Sequence, residues 1–472
     1  MRVYDIVVIG GGISGLTAAL LFAKEGKKVA VAEQSGRIAP LFSGFDRNID
    51  GKTAHFETGF HYSYGFAKGE IGDKLLKKLG IEISFEPCDP DNYDEIRFLG
   101  ENKVFKTPVG AKEFERRLSG LFPQEKEGIK KYFALVKKNI KSYPFFTDLT
   151  FRDALSFFDD GRTLKEVLDF YFKSEELKTL LSYSCFLHGT PPSKASFMFH
   201  CCCVGLMTDS VWKIKGGAAK LVEAYAGALK KLGADLFTGK KAVKIELCGN
   251  KKNVLFEDGD RMECETCIAS VHPKEFIKIA PEGIYRKNGY ERIKNTEETP
   301  SFFVLYGVLQ GGRAYKCENI IFAHKQDYRV CLDKDDIRPA YINFSDTDPQ
   351  SVCVVAFVKP DERFWNAKSG GYKEKKEAAA LLIKEKFALA APEIASKIKY
   401  CDAATPATFK KYVNYYGGYG MMHDINGPVV LPVTKIPGVF LTGQAVVTPG
   451  LLGAVISSFL LYKIIARGNN GN

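Results

Sequence analysis

Glycines at fixed spacing and one acid near the start of the chain carry the clearest chemistry. Gly10-Gly11-Gly12-Ile13-Ser14-Gly15 fits GxGxxG and lies between an apolar strand-like run, residues 4–9, and a segment of helical apolar spacing, residues 14–25. Gly10 permits a tight turn, Gly12 lets the backbone approach a pyrophosphate, and Gly15 lets the helix lie close to the strand. The helix start then offers N–H groups and partial positive charge to phosphates. Glu33 closes a second strand, 23 residues after Gly10, where a carboxylate can hold both ribose hydroxyls. That favours FAD or NAD over a 2′-phosphorylated dinucleotide.

The choice between those two rests on the other end of the chain. Gly438-Val439-Phe440-Leu441-Thr442-Gly443-Gln444, followed by Pro449-Gly450-Leu451-Leu452-Gly453-Ala454, predicts a strand, a tight turn and a glycine-started helix. Backbone amides there can meet phosphate or ring oxygens, and the helix start stabilises negative charge on a reduced flavin. Other chemistry-bearing runs are weaker. Cys264-Glu265-Thr266-Cys267 lacks a second pair and sits in a strand-like run, and Cys201-Cys202-Cys203 after His200 points adjacent side chains in different directions. Both are read as packing, and no metal site is assigned. Gly417-Gly418-Tyr419-Gly420 follows an aromatic run, residues 412–416, and makes a poor phosphate loop. No second GxGxxG with flanking elements occurs, which argues against a built-in NADPH reductase unit.

Elements must position these ends. The chain has 472 residues, 45% hydrophobic and 26% charged, which fits a globular protein of two domains. Lysine and arginine exceed the acids by 67 − 56 = 11, spread along the chain, and no nucleic-acid-binding signature accompanies them. No nucleic-acid partner is expected. The first residues run straight into a strand, leaving no room for a secretory signal, so a cytoplasmic location is expected and the 12 cysteines read as thiols. Residues 445–462 are uncharged and long enough to cross a bilayer, but Thr448, Pro449, Gly450, Gly453, Ser457 and Ser458 interrupt them, and a buried helix is predicted. Residues 74–210 read as largely helical, with lysine-rich amphipathic segments at 111–121, 129–140 and 162–172. A helix at 218–231 and strands near 234–237, 242–247 and 252–256 restore α/β character. Strands at 302–309, 341–344 and 352–358 and a helix at 372–389 suggest a second sheet. The expected fold is α/β: a discontinuous Rossmann-like FAD-binding domain (1–72, 211–284 and 420–472) plus an α+β substrate domain formed by two insertions (73–210, mostly helical, and 285–419).

The N-terminal glycines, the Gly216-Gly217 segment leading through Gly233-Ala234 to Val243, and the C-terminal strand and helix together resemble the phytoene desaturase, carotenoid isomerase and retinol saturase group of FAD oxidoreductases, within the amine oxidase-like superfamily. The resemblance spans nearly the whole chain. Phe56-Glu57-Thr58-Gly59-Phe60-His61-Tyr62, Phe344-Ser345-Asp346-Thr347-Asp348-Pro349 and the C-terminal segment pull it toward the retinol saturase side. It implies FAD as cofactor, with Gly10, Gly12, Ile13, Ser14, Gly15, Glu33 and Gln34 around its phosphates and ribose and Val243 against the adenine. It implies that Ala39, Leu41, Gly59, Phe60, His61 and Tyr62 approach the flavin, with Gly443 and Gln444 at the phosphate or ribityl region and Leu452 and Gly453 near the ring. One departure is plain. Where the superfamily usually has a glycine pair beyond the ribose acid, this chain has Ala39-Pro40, so the backbone is expected to follow a different path there.

The implied reaction is saturation, desaturation or isomerisation of a carbon–carbon bond in a hydrophobic polyene or prenyl-derived lipid, by hydride exchange at flavin N5. Saturation also needs a proton, which His61, Tyr62, His188, Tyr415 or Tyr416 could supply. His61 and Tyr62 lead as catalytic candidates because they follow Gly59. Expected partners are the hydrophobic substrate, an external electron donor or acceptor (a quinone, reduced flavin or ferredoxin-like protein), and a peripheral contact with the inner face of the cell membrane. Two rival classes share the architecture: a flavin amine oxidase, whose usual lysine near N5 has no evident counterpart, and a non-catalytic prenyl-binding protein, which should have lost the N-terminal glycines.

Overall fold

A computed structural model describes residues 2–101, 103–141, 161–311, 315–323, 337–347 and 349–469. Asp348 of the Phe344 to Pro349 stretch and residues 470–472 of the first domain lie outside the described residues. The apolar run at the start forms the strand Arg2–Ile9, at the centre of a seven-stranded sheet. Val29–Ala32 pairs with it on one side and Arg261–Ala269 on the other, both parallel, and Asp235–Phe237 extends the first of these. Arg261–Ala269 has two further partners. Its first half pairs antiparallel with Lys251–Phe256, and its last residues pair parallel with Val439–Leu441.

Two helices of similar origin cover one face. Ile13–Ala23 follows the first strand, and Leu451–Asn469 follows Val439–Leu441 after a short turn. They lie together, with the Ser458 hydroxyl donating to the Ser14 carbonyl at 2.7 Å. The helix Ala219–Lys231 joins the same apolar cluster, where Leu16, Leu20, Tyr225 and Val455 are buried. The first and last segments of the chain therefore build one layer, and both helix N-termini lie at the same end of the sheet.

The second sheet also has seven strands, in the order Ile398–Ala404, Ser301–Leu309, Ser351–Val358, Pro339–Phe344, Asn319–Ala323, Asp94–Phe98 and Val104–Thr107. Ser301–Leu309 is buried along its whole length. Alternation sends Phe302, Val304, Tyr306 and Val308 to one face and Phe303, Leu305 and Leu309 to the other. The latter face packs on the helix Tyr372–Ala390 through Ile383 and Phe387, with Trp365 closing the layer. The former meets the helical insertion that contains Ala111–Leu121, Lys126–Lys141 and Leu164–Tyr171.

That insertion is less purely helical than the sequence suggests. Asp94–Phe98 and Val104–Thr107 leave it to join the second sheet, Asp94–Phe98 running parallel to Asn319–Ala323. Their alternation is short, and charges at Glu95, Arg97 and Lys106 mask it. Only pairing with a distant strand makes such segments sheet.

Candidate active site

The two glycine-started helices and the inner face of the second sheet enclose a cavity of about 570 Å³, within the range usual for small-molecule sites. Gly10, Gly12, Ile13 and Ser14 line it from the first turn, and Glu33 and Gln34 from the end of the second strand. Ala39, Leu41, Gly59, Phe60, His61 and Tyr62 line its middle portion, with Gly443, Gln444 and Leu452 from the C-terminal segment and half-exposed Val243 at a rim.

Gly15 and Gly453 do not line it. A Cβ on Gly15 would fall 2.0 Å from the Gly10 carbonyl oxygen, and one on Gly453 would fall 2.0 Å from that of Thr448. Both glycines let a helix sit against its own preceding turn. For Gly15 this is the role read from the sequence; Gly453 packs against Thr448, between Leu452 and Ala454, which line the cavity.

Residues around the first turn suit a dinucleotide. Gly12 has no protein atom within 4 Å of where its Cβ would stand, and no side chain caps the helix Ile13–Ala23 that it begins. Uncapped N–H groups thus face open volume, which phosphate oxygens can fill. Glu33 is 6% exposed; its Oε2 accepts the Gly11 N–H at 2.7 Å and its Oε1 the Ser35 N–H at 2.8 Å. Burial raises the Glu33 carboxyl, and those N–H bonds act in the opposite direction. Each oxygen keeps lone-pair capacity for a ribose hydroxyl. Gly443 and Gly450 are likewise open and hold positive φ, 129° and 95°.

At Ala39 the backbone takes a left-handed conformation. Its φ is 43°, in the left-handed region that favours glycine, and its N–H donates to the Gly11 carbonyl at 2.8 Å. The chain keeps a glycine-like turn with an alanine in it, at a cost of roughly 1–2 kcal/mol.

Two cavity residues escape the sequence reading. Glu57 accepts the Ala218 N–H at 3.1 Å through Oε1, and that oxygen would lie 2.8 Å from a Cβ on Gly217, which ties the Gly216-Gly217 turn to the cavity wall. His272 accepts the Lys274 N–H through Nδ1 at 3.2 Å, which leaves its proton on Nε2 beside Gly420. Burial holds this imidazole neutral, at about 3. Its ring lies 4.8 Å from that of Tyr415, another lining residue.

Toward the second sheet the walls become apolar: Phe186, Leu187, Phe302, Val304, Tyr306 and Val355. His61 borders this chamber, meeting Tyr341 edge-on at 6.3 Å. Burial lowers its imidazole to about 4, so it is neutral near pH 7. The Tyr62 hydroxyl donates to Asp94 Oδ2 at 2.6 Å, and Asn319 Nδ2 donates to Asp94 Oδ1 at 2.8 Å. Desolvation pushes the Asp94 carboxyl up to about 7.

The remaining candidates separate clearly. Tyr415 lines the cavity, whereas Tyr416 and His188 do not. His188 joins Cys185 and His200 in a fully buried cluster with ligand-type atoms within 4.8 Å of one another. His188 Nδ1 accepts the Thr190 N–H at 3.2 Å, which puts its proton on Nε2, facing His200 Nδ1 at 3.4 Å. An ion there would have to displace that proton. Cys264 and Cys267 are buried in the first sheet's other core, and Cys201 and Cys202 belong to different clusters, while Cys203 lines the cavity and touches Thr448.

Comparison with known proteins accords with this architecture. The model of the family described as flavin containing amine oxidoreductase matches residues 13–458. All-trans-retinol 13,14-reductase of Danio rerio is 24% identical, over 98% of this chain and 86% of its own. A 4,4′-diapophytoene desaturase of Staphylococcus haemolyticus is 22% identical, over 70% of this chain and 68% of its own. Among solved structures, an oxidoreductase from Methanosarcina mazei superposes with a TM-score of 0.68 at 13% identity, covering 97% of this chain and 99% of that one. The chain belongs to the flavin-containing amine oxidoreductase family, and its cofactor is FAD.

Proposed function

We propose that the chain exchanges hydride between FAD and a carbon–carbon bond of a hydrophobic polyene or prenyl-derived lipid, saturating, desaturating or isomerising it. The observation that carries this reading is the apolar chamber, walled by Phe186, Phe302, Val304 and Tyr306, continuous with the glycine-lined cradle. Apolar walls suit an apolar substrate, and a polar amine would lose its hydration there. Relatives named for a retinoid reductase and a diapophytoene desaturase support the same substrate class.

When bound, FAD supplies hydride exchange at N5. The chain's own groups do the rest. Gly10, Gly12, Ile13 and Ser14 receive the phosphates, Glu33 and Gln34 the adenosine ribose, and Val243 the adenine. Gly443, Gln444 and Leu452 border the ribityl and ring, with Gly453 holding their helix in place. Ala39, Leu41, Gly59 and Phe60 flank the ring on the side of the chamber. His61 and Tyr62 stand where substrate would meet it, and the apolar walls exclude water. Electrons come from or go to an external partner such as a quinone, a reduced flavin or a ferredoxin-like protein. We place the enzyme in the cytoplasm, with a peripheral contact on the inner face of the membrane where such lipids dissolve.

Purified protein should show oxidised-flavin bands at roughly 375 and 450 nm. After anaerobic reduction, mixing with all-trans-retinol, phytoene or a quinone-type prenyl lipid should reoxidise the flavin and add two hydrogens to one of them, read by mass. Peroxide release with polyamines, and no response to any polyene in either redox direction, would replace this reading with an amine oxidase.

A further inference from the structure

Behind the cavity wall stands an acid that the sequence reading does not use. Asp94 begins the strand Asp94–Phe98, is fully buried, and is hydrogen-bonded to Tyr62 and Asn319, which line the cavity. The Tyr62 hydroxyl meets Oδ2 at 2.6 Å and the Asn319 amide meets Oδ1 at 2.8 Å. A carboxyl buried this deeply ordinarily has a cation beside it. Among the described residues none forms an ion pair with Asp94. The nearby lysine, Lys213, bonds Glu318 at 3.0 Å and also Asp346.

Other neighbours oppose ionisation or stay neutral. Glu318, on the approach to the strand Asn319–Ala323, repels a second negative charge. Tyr93 and Tyr183 share a hydrogen bond of 2.9 Å and face the same interior, and Thr107 is the cross-strand partner of Asp94. The amide of Asn319 is itself fixed, since its Oδ1 accepts from Asn343 Nδ2 at 3.0 Å. Asp94 is thus offered one mobile proton, that of Tyr62.

We infer that Tyr62 and Asp94 form the proton-transfer pair of the reaction, Tyr62 exchanging a proton with substrate carbon and Asp94, a positioning residue, exchanging it in turn with Tyr62. This rests on the proposed carbon–carbon redox function. In the saturating direction, one substrate carbon would receive the hydride that bound reduced flavin supplies. The neighbouring carbon takes the Tyr62 proton, so that a C–H bond forms as the phenol O–H breaks. The Asp94 carboxyl O–H breaks to restore the phenol, leaving an Asp94 carboxylate and oxidised flavin. One solvent proton restores the Asp94 carboxyl, and an external donor of two electrons, together with a second proton, would restore the reduced flavin. Desaturation runs the same transfers in reverse, with the carboxylate receiving the proton.

Asp94→Asn keeps an amide of the same shape that can donate to Tyr62 and accept from Asn319, and Tyr62→Phe removes the relay while leaving Asp94. Both variants should fold and retain bound FAD, and Asp94→Asn, whose side chain does not line the cavity, should keep the wild-type FAD affinity and spectrum. Single-turnover flavin reoxidation by all-trans-retinol should fall by about 100-fold or more in each, the scale of a lost general acid. In wild type the rate should decline as pH rises through about 7, because the saturating direction needs the protonated acid. That limb should vanish in Asp94→Asn. Wild-type rates and an unchanged pH profile in both folded variants overturn the inference.

If wild type does not act on all-trans-retinol, phytoene or the prenyl lipid, the functional reading fails, and the pair is judged without substrate. Infrared titration should find a carboxylic-acid band absent from Asp94→Asn, with a midpoint of about 7 that moves in Tyr62→Phe. A midpoint in the ordinary carboxylate range, or one that Tyr62→Phe leaves in place, equally overturns it. Tyr62→Phe with the wild-type titration decides the matter even if Asp94→Asn fails to fold.

Discussion

Gly12 and Ala39 show how single positions separate ligand chemistry from folding. Nothing in the protein stands near a Cβ on Gly12, so Gly12→Ala should fold with an unchanged apo melting temperature. The methyl would occupy space that phosphate needs, so the FAD Kd should rise at least about tenfold, the equivalent of roughly 1.4 kcal/mol. An equal loss of apo stability would show instead that the glycine serves the turn. Ala39 gives the opposite test. Ala→Gly ordinarily destabilises through the unfolded chain, but here it relieves a left-handed alanine. Ala39→Gly should leave stability within about 1 kcal/mol of wild type or raise it. Asp94 adds a pH signature. Its carboxyl rises from 3.8 to about 7 on folding, so the folded chain holds a proton that the unfolded chain releases between those values. Stability from this group is complete below about pH 4 and is lost as pH rises through 7. The difference between wild type and Asp94→Asn in urea unfolding should therefore change by up to on the order of 4 kcal/mol between pH 4 and 8. A pH-independent difference would mean that Asp94 is ionised throughout. The glycines and Glu33 were legible in the sequence because their chemistry is local to one strand–turn–helix unit. Asp94 was not, because its meaning comes from Tyr62 and from Asn319, which lies 225 positions away.

At the scale of elements, the molecule uses one device at both ends of the chain. A short strand feeds a turn, and a glycine in the first helical turn lets the helix rest on that turn's carbonyl. The Ser14–Ser458 bond fixes the two helices to each other, so their N-termini are set as a pair. A methyl at Gly15 or Gly453 cannot be absorbed by a flexible side chain, because the atom it meets is backbone. Gly15→Ala and Gly453→Ala should each lower apo stability by about 1–3 kcal/mol, read by urea unfolding of the FAD-free protein. This is the reverse of the Gly12 expectation, and similar FAD-specific effects at all three positions would contradict it. Period and punctuation in the sequence revealed these units, together with the strand Ser301–Leu309 and the helix Tyr372–Ala390. They did not reveal Asp94–Phe98 and Val104–Thr107. Short segments with charges at alternate positions are fixed by their partner strands rather than by their own pattern.

For the whole molecule, the open question is how a lipid substrate reaches a cavity enclosed by two sheets. No helix among the described residues is long and apolar enough to cross a membrane. Surface charge offers a different contact. The helix Lys126–Lys141 exposes Lys126, Lys130, Lys131, Lys137 and Lys141, while Ile129, Tyr132, Phe133 and Val136 anchor its other face in the core. Exposed Leu121 precedes it, and exposed Phe170 stands at the end of the neighbouring helix Leu164–Tyr171. Cations with apolar side chains beside them suit the surface of an anionic bilayer. At about 1 kcal/mol per lysine near such a surface, Lys130→Ala with Lys131→Ala should weaken binding to phosphatidylserine-containing vesicles by about 30-fold. Raising salt should weaken wild-type binding in the same way. Flavin content should not change, since these lysines lie far from the cavity walls in sequence and line none of them. Sedimentation of wild type with neutral and anionic vesicles to the same extent, or indifference to both salt and the lysine changes, would remove this helix as the contact and leave substrate entry to another face.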